Sequence, residues 1–116
     1  MRTADLDSDW YHKRIGGYIY AVEYADGLVK IGYSSNPCSR FDYLERYYRG
    51  RPMRIIREYV SDYVNKCRLY EARVMLGLEP CDKKELFCIP FYAAVKRIQT
   101  VVAMIDPEED NNHFSD

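Results

Sequence analysis

Arginine and tyrosine, two residue types that bind nucleic acid, alternate in the middle of this chain. The arginines are Arg46, Arg49, Arg51, Arg54 and Arg57, and the neighbouring tyrosines are Tyr47, Tyr48 and Tyr59. Guanidinium groups bind phosphates, and tyrosine rings can stack on bases. We interpret the cluster as a phosphate-binding patch with tyrosines available for stacking. The alternative is a solvated helix face followed by an edge strand.

Strand geometry limits the size of this patch. Arg54 and Arg57 lie three residues apart in a segment patterned as a strand, where successive side chains alternate between two faces. If the strand is regular, the two side chains point to opposite faces. The predicted patch therefore consists of Arg46, Arg49 and Arg51 with one of these two, and we assign Arg54 to it.

The charge of the chain is unevenly distributed. The whole chain has a net charge of −1, with −2 on residues 1–9 and −5 on residues 104–116. Residues 10–103 hold 16 basic and 10 acidic residues, a net charge of +6. A basic body between acidic ends is compatible with binding to nucleic acid, which the overall charge would not suggest.

The cysteines and the hydropathy indicate an intracellular protein. The four cysteines, Cys38, Cys67, Cys81 and Cys88, form no CxxC pair. We expect buried free thiols rather than a zinc site, and therefore a reducing compartment. The N-terminus lacks the apolar run of a signal peptide, and no stretch approaches the ~18 apolar residues of a membrane span.

The first elements are the clearest. Strands over Tyr18–Tyr24 and Leu28–Tyr33 flank Asp26-Gly27, a strong hairpin signal. Both strands carry apolar residues at odd and even positions, so we expect a sheet that is covered on each side. Ser34-Ser35-Asn36-Pro37 predicts a helix start, with a capping side chain and a proline in the first turn.

The remaining elements complete a small α+β domain. Helix one is predicted over about 37–48, strand three over 53–60, helix two over about 63–76 and helix three over about 90–105. We expect Ser61 or Asp62 to cap helix two and Gly77 to close it. The order ββαβαα predicts a three-stranded antiparallel sheet with about three helices. The chain then divides into a polar segment (1–16), one domain (17–105) and an acidic disordered tail (106–116).

The stretch Gly17–Arg40, GYIYAVEYADGLVKIGYSSNPCSR, resembles the GIY-YIG nuclease superfamily. Tyr18-Ile19-Tyr20 stands in place of Gly-Ile-Tyr, and Lys30-Ile31-Gly32 in place of Tyr-Ile-Gly. The stretch is similar to the KIG-type branch, which is named from a phage open reading frame and described as DNA-binding. Its pattern, GYVY…VKIG-x-(S/T)-x-NP-x-x-R, is matched nearly letter for letter. A weaker likeness continues through Glu71 and Glu85-Leu86-Phe87 to about residue 100.

This resemblance implies a GIY-YIG-like fold and an endonuclease that binds DNA and hydrolyses phosphodiester bonds. Glu71 would hold one divalent cation, and a single carboxylate with waters and phosphate oxygens suits Mg²⁺ or Mn²⁺. Arg40 would clamp the phosphate with its planar guanidinium. Tyr20 would orient or deprotonate the attacking water, and Lys30 would lower the pKa of Tyr20 or bind a phosphate itself.

Two departures from the superfamily pattern keep other functions open. Lys30 replaces the second signature tyrosine, although this is normal for the branch, and Met75 stands where a histidine often follows the glutamate. The alternatives are a non-catalytic nucleic-acid-binding module and a phage or mobile-element factor that acts on host defence through protein contacts. A stand-alone domain of this kind would be weakly specific, would form a homodimer, or would borrow a partner's recognition.

Overall fold

The computed structural model describes residues 16–81 and 86–111, except for the side chain of Arg49. The fold is α+β, as predicted, with antiparallel strands and helices on both faces of the sheet. The strands are β1 (Tyr18–Tyr24), β2 (Val29–Ser34), β3 (Ile55–Val60) and β4 (Leu86–Phe87), in the order β3-β1-β2-β4. The helices are α1 (Pro37–Arg46), α2 (Cys67–Met75), α3 (Phe91–Ala103) and α4 (Pro107–Asn111), and a 3₁₀ helix (Tyr48–Gly50) follows α1.

The short strand β4 is an addition to the predicted sheet of three strands. Leu86 pairs with Lys30 and Phe87 pairs with Val29, so β4 extends the sheet beyond β2. Both side chains of β4 are buried. A strand of two residues is too short for its alternation to be recognised in a sequence.

β1 and β2 form the predicted hairpin. Gly27 in the turn has a φ of +93°, a backbone conformation that favours glycine. The register pairs Tyr20 with Gly32 and Val22 with Lys30. The even-numbered residues of both strands therefore share one face of the sheet, and the odd-numbered residues share the other.

Each face of the hairpin is covered by its own hydrophobic core, as predicted. α1 packs on the even-numbered face. The buried members of this core are Tyr20, Val22, Tyr24, Phe41, Tyr48 and Leu86. α2 and α3 pack on the odd-numbered face, and their buried members are Cys67, Tyr70, Val74, Ala94 and Ile98.

The start of α2 differs from the prediction. The helix begins at Cys67 rather than near Tyr63, and neither Ser61 nor Asp62 caps it. Ser61 pairs with β1 instead: the Ile19 N–H donates to Ser61 Oγ at 3.0 Å, and the Ser61 N–H donates to the Ile19 carbonyl at 2.9 Å. These bonds satisfy buried backbone groups of β1, and this delays the helix by one turn.

Among the described residues no side chain caps α2, but a distant carboxylate holds the backbone that leads into it. Asp110 in α4 accepts hydrogen bonds from the backbone N–H groups of Asn65, at 3.0 Å, and Lys66, at 3.1 Å. Glu109 pairs with Arg73 of α2 at 3.5 Å. α4 lies in the segment for which we expected disorder from residue 106, and the structure instead gives a helix attached to α2. Residues 112–116 lie outside the described residues.

The cysteines are not the four free thiols that the sequence suggested. Cys81 and Cys88 form a disulfide, which corrects that prediction for both residues. Cys67 is buried, as expected, whereas Cys38 is exposed. The expectation of a reducing compartment rested on four thiols and loses that support.

The ends of the chain were predicted to lie outside the domain. Residues 1–15 of the polar N-terminal segment are not among the described residues.

Within residues 16–81 and 86–111, no helix is long and apolar enough to cross a membrane.

The hydrogen bonds of Asp110 make a prediction about stability. Asp110→Ala removes the acceptor of the Asn65 and Lys66 N–H groups, and losing hydrogen bonds to a charged group costs about 1.5–3 kcal/mol. We therefore expect the free energy of unfolding, measured by urea titration, to fall by that amount. Glu108→Ala is the matched control, because Glu108 is exposed in the same helix, and it should change the value by less than about 0.5 kcal/mol. Equal effects of the two substitutions would contradict this role of Asp110.

Candidate nucleic-acid-binding and catalytic site

The first turn of α1 has the capping geometry that the sequence predicts. Pro37 is the first helical residue and Asn36 is the cap. The Ser39 N–H donates to Asn36 Oδ1 at 3.3 Å, and the Asn36 N–H donates to Ser34 Oγ at 2.9 Å. These bonds fix the helix against the end of β2 and so determine where Arg40 lies.

An open depression lies at this helix N-terminus. It has a volume of about 500 Å³ and is lined by Ser34, Ser35, Asn36, Ser39, Arg40 and Tyr43. None of these described lining residues is acidic, and the Arg40 side chain is exposed. Hydroxyl groups, helix N–H groups and a guanidinium are donors that suit a phosphate.

Tyr20 and Lys30 share the α1 face of the sheet. They are diagonal neighbours in the register of β1 and β2. The sequence alone did not determine whether the two side chains lie near each other, because it did not fix this register. The Tyr20 ring meets Phe41 edge-on, with 5.2 Å between the ring centroids. Its hydroxyl lies over Gly32, and the residue is only 1% exposed. Tyr20 is thus a core residue that supports α1, while Lys30 is half-buried beside it.

Glu71 lies on the other side of the sheet. It follows Cys67 by one helical turn on α2, and Cys67 belongs to the odd-numbered core. The Glu71 side chain is buried, at 7% exposure. The structure therefore does not place Glu71 on the face that holds Tyr20 and Lys30.

The pKa of Tyr33 responds to the charges of both Arg40 and Glu71. Tyr33 is the odd-numbered residue near the end of β2 and packs against the core formed with α2 and α3. Burial raises the pKa of Tyr33; the cations Arg68 and Arg40 lower this pKa, and the Glu71 carboxylate raises it. All three charges are therefore within electrostatic range of one phenol. Because its pKa is raised above an ordinary value near 10, this phenol stays protonated at neutral pH and can donate a hydrogen bond.

Sequence reasoning missed Tyr33. It directly follows Lys30-Ile31-Gly32, and its parity in β2 is that of Ile31, so the alternation already assigned it to the face opposite Lys30. What the sequence did not reveal is that α2 would bring Glu71 to this face.

Three of the arginines assigned to phosphate binding are exposed, namely Arg46, Arg51 and Arg54. The fourth, Arg49, lies in the 3₁₀ helix, and its side chain is outside the described residues. Arg57 pairs with Glu23 across the β1–β3 ladder, at 3.2 Å. Arg54 precedes β3 and is exposed, whereas Arg57 is paired with Glu23, so Arg54 rather than Arg57 stays in the patch.

The tyrosines near this patch differ from the prediction. Tyr48 is buried, so the expectation that it is available for stacking is wrong. Tyr59 is half-buried against the odd-numbered core, and Tyr47 is exposed. Tyr43, which the sequence did not single out, is exposed beside Tyr47. Its spacing of four residues from Tyr47 on a predicted helix was the available signal.

The residues that the structure describes fit only one kind of metal site. Among the described residues, no group of three histidine, cysteine, aspartate or glutamate side chains could hold a metal ion. Glu71 would therefore be a single protein ligand, with waters and phosphate oxygens completing the coordination. That composition fits Mg²⁺ or Mn²⁺, which keep much of their hydration shell, and does not fit a structural zinc ion.

Comparison with known families identifies the domain. A family model described as the T5orf172 domain matches residues 17–106, which is most of the chain. The chain belongs to this family, which is named from a phage open reading frame and suggests a phage-type nucleic-acid-binding or nuclease-like domain. Neither the comparison with curated proteins nor that with solved structures gave a match.

Because the Tyr20 ring lies over Gly32, we expect substitutions of these two residues to have non-additive effects on stability. A Cβ on Gly32 would lie 2.6 Å from Tyr20 Cζ, and the buried ring has little room to move. We expect Gly32→Ala to lower the free energy of unfolding by about 1–3 kcal/mol in urea titrations. In a Tyr20→Leu background the same substitution should cost at least about 1 kcal/mol less, because the overlapping ring is absent. The same cost in both backgrounds would show that the ring is not the obstacle.

Proposed function

We propose that this chain is a GIY-YIG-type domain that binds DNA and hydrolyses its phosphodiester bonds with one divalent cation. The observation that carries the proposal is the depression at the α1 N-terminus, where Arg40 lies beside three serine hydroxyl groups and no described lining residue is acidic. Glu71 comes from the helix on the opposite face of the sheet, and its carboxylate and the Arg40 guanidinium both influence the pKa of Tyr33. A cation for the phosphate and a carboxylate for a metal ion are the groups that phosphodiester hydrolysis requires.

In this proposal Arg40 holds the scissile phosphate. Its planar guanidinium can donate two parallel hydrogen bonds to phosphate oxygens. The hydroxyl groups of Ser34, Ser35 and Ser39 line the same depression and offer further donors. The α1 N-terminus adds its partial positive charge, which favours an anion at this position.

Glu71 and Tyr33 act from the other side of β2. Glu71 would hold Mg²⁺ or Mn²⁺, and when bound such an ion polarises the phosphoryl group and stabilises the leaving oxygen. Tyr33, protonated at neutral pH, donates a hydrogen bond that orients the phosphate or the attacking water. A protonated phenol is a poor general base, so this role is one of orientation.

Tyr20 and Lys30 support the site from the α1 face. Tyr20 contacts Phe41, the residue next to Arg40, and so positions Arg40 through the helix. Lys30 adds positive charge on this face, where it binds a phosphate of the DNA. The exposed Arg46, Arg51 and Arg54 extend the phosphate-binding surface beyond the depression.

Two variants should distinguish the residue needed only for cleavage from the residue needed for binding. Wild-type protein should nick supercoiled DNA in Mg²⁺ or Mn²⁺ and not in EDTA. Glu71→Gln keeps the side-chain size but removes the metal ligand, so the nicking rate should fall at least ~100-fold, while DNA affinity, measured by fluorescence anisotropy, stays nearly unchanged. Arg40→Ala should weaken binding and cleavage together, because it removes the phosphate contact.

Arg57→Ala is the matched control for Arg40→Ala. Arg57 is also exposed, but it pairs with Glu23 on the far edge of the hairpin, so its removal should leave nicking unchanged. If wild-type protein binds DNA and cuts no form of it in either metal, the catalytic part of the proposal is wrong. A Glu71→Gln variant that cuts at the wild-type rate would exclude Glu71 as the metal ligand.

The separation of Tyr20 and Lys30 from Glu71 favours a second candidate, a non-catalytic nucleic-acid-binding module. This module would use the depression and the basic surface and would make no use of Glu71. Its binding should fall steeply with rising salt concentration, because phosphate contacts release counterions. Binding without cleavage, indifferent to divalent metal, would identify it.

A further inference from the structure

Two exposed tyrosines form a tilted aromatic pair at the C-terminal end of α1, with an angle of 48° between the ring planes. Tyr43 and Tyr47 are one turn apart, and their ring centroids lie 4.9 Å from each other. They are 54% and 51% exposed, whereas Tyr20 and Tyr24 in the adjacent core are almost fully buried. Rings of this size bury more apolar area than most side chains, so an exposed pair leaves an unusually large apolar surface in contact with water.

This pair, Tyr43 with Tyr47, is continuous with the candidate phosphate site. Tyr43 lines the same depression as Arg40, which lies one turn before it on α1. The Arg46 guanidinium lies 6.0 Å from the centroid of the Tyr47 ring, within cation–π range. The aromatic surface is therefore bordered by a cation at each end.

The carboxylates of α1 are directed away from the Arg40 end of this surface. Glu45 turns inward, where its Oε2 accepts a hydrogen bond from the Ile55 N–H at 2.7 Å. Asp42 is two residues from Arg40 and therefore lies on the other side of the helix from it, one turn before Arg46. The Arg40 end of the aromatic surface therefore has a guanidinium group and no facing carboxylate among the described α1 residues, which complements a nucleic acid strand.

We propose, on the basis of the proposed DNA binding, that the Tyr43–Tyr47 pair is a stacking platform for an unpaired base. The phosphate next to that base would lie in the Arg40 depression. In a continuous duplex both faces of each base are covered by its neighbours, so a ring on a protein surface can stack only on a base that is unpaired or at an end. The preferred substrate is therefore DNA with a single-stranded or locally unpaired segment.

Binding to matched DNA forms tests the platform. The full chain is titrated without divalent metal against a single-stranded 12-mer and against the blunt duplex of the same sequence. Wild-type protein should bind the single strand more tightly. Tyr43→Leu/Tyr47→Leu should weaken single-strand binding by about 5- to 150-fold, the range expected for losing one stacked base, and should change duplex binding far less.

Tyr92→Leu is the matched control, because Tyr92 is 75% exposed but belongs to α3 on the opposite face of the sheet. It should leave both affinities unchanged.

A second measurement needs no variant. An oligonucleotide carrying 5-iododeoxyuridine is photocrosslinked to wild-type protein, and the attached residue is identified by mass spectrometry. Attachment at Tyr43 or Tyr47 supports the platform, and attachment elsewhere overturns it.

The outcomes separate this inference from the proposed function. If single strand and duplex bind equally and the double variant binds like wild-type protein, the stacking platform is wrong while DNA binding stands. If neither form binds, the proposed function fails together with the platform. Loss of both affinities in the double variant, with an unchanged circular dichroism spectrum, would show a general phosphate-binding surface and also overturn the preference for unpaired bases.

Discussion

The register of the β1–β2 hairpin determines on which face of the sheet Tyr20, Lys30 and Tyr33 lie. Both faces of the hairpin are buried, so a shift of one residue would move Tyr20 and Tyr33 to the wrong cores. Glycines enforce the register. A Cβ on Gly32 would overlap the Tyr20 ring, and a Cβ on Gly17 would lie 2.7 Å from the Ser34 carbonyl oxygen. The signature that marks the family is therefore also a packing constraint.

Two helices meet this hairpin from opposite sides, and each is fastened to its surroundings at its ends. The start of α1 is joined to β2 through Asn36, and the backbone that leads into α2 is held by Asp110. At the other end of α2, Arg97 Nε donates to the Val74 carbonyl at 2.8 Å. The relative position of Arg40 and Glu71 is thus set through the sheet, and β2, which contains Tyr33, is the strand between them.

Much of this fold could be predicted because its determinants are local. Asp26-Gly27 specifies the hairpin, the serine–asparagine–proline segment specifies the start of α1, and alternation specifies the two covered faces. The start of α2 could not be predicted, because Asp110 is far away in the sequence and Ser61 has a stronger partner in β1. The Cys81–Cys88 disulfide was missed because thiol pairing depends on tertiary proximity rather than on spacing.

The sequence could name residues of the candidate site, but it could not place them relative to one another. Spacing and the family resemblance named Tyr20, Lys30, Arg40 and Glu71, but their distribution over two faces depends on strand register and on the side from which each helix packs. The side from which each helix packs is not encoded in the motif itself. Tyr33 was overlooked for the same reason, since its role depends on which helix covers the odd-numbered face.

The most direct test is whether DNA and a metal ion meet beside Tyr33. Protein labelled with ¹³Cζ-tyrosine, with the Tyr33 resonance assigned through Tyr33→Phe, is mixed with phosphorothioate DNA and Mn²⁺, whose paramagnetism broadens nearby signals. We predict that the Tyr33 signal is lost when DNA and Mn²⁺ are both present, is retained with Mg²⁺, and is retained with Mn²⁺ in Glu71→Gln. A Tyr33 signal that stays sharp in the wild-type complex, or that broadens equally in Glu71→Gln, would contradict a metal site at Glu71.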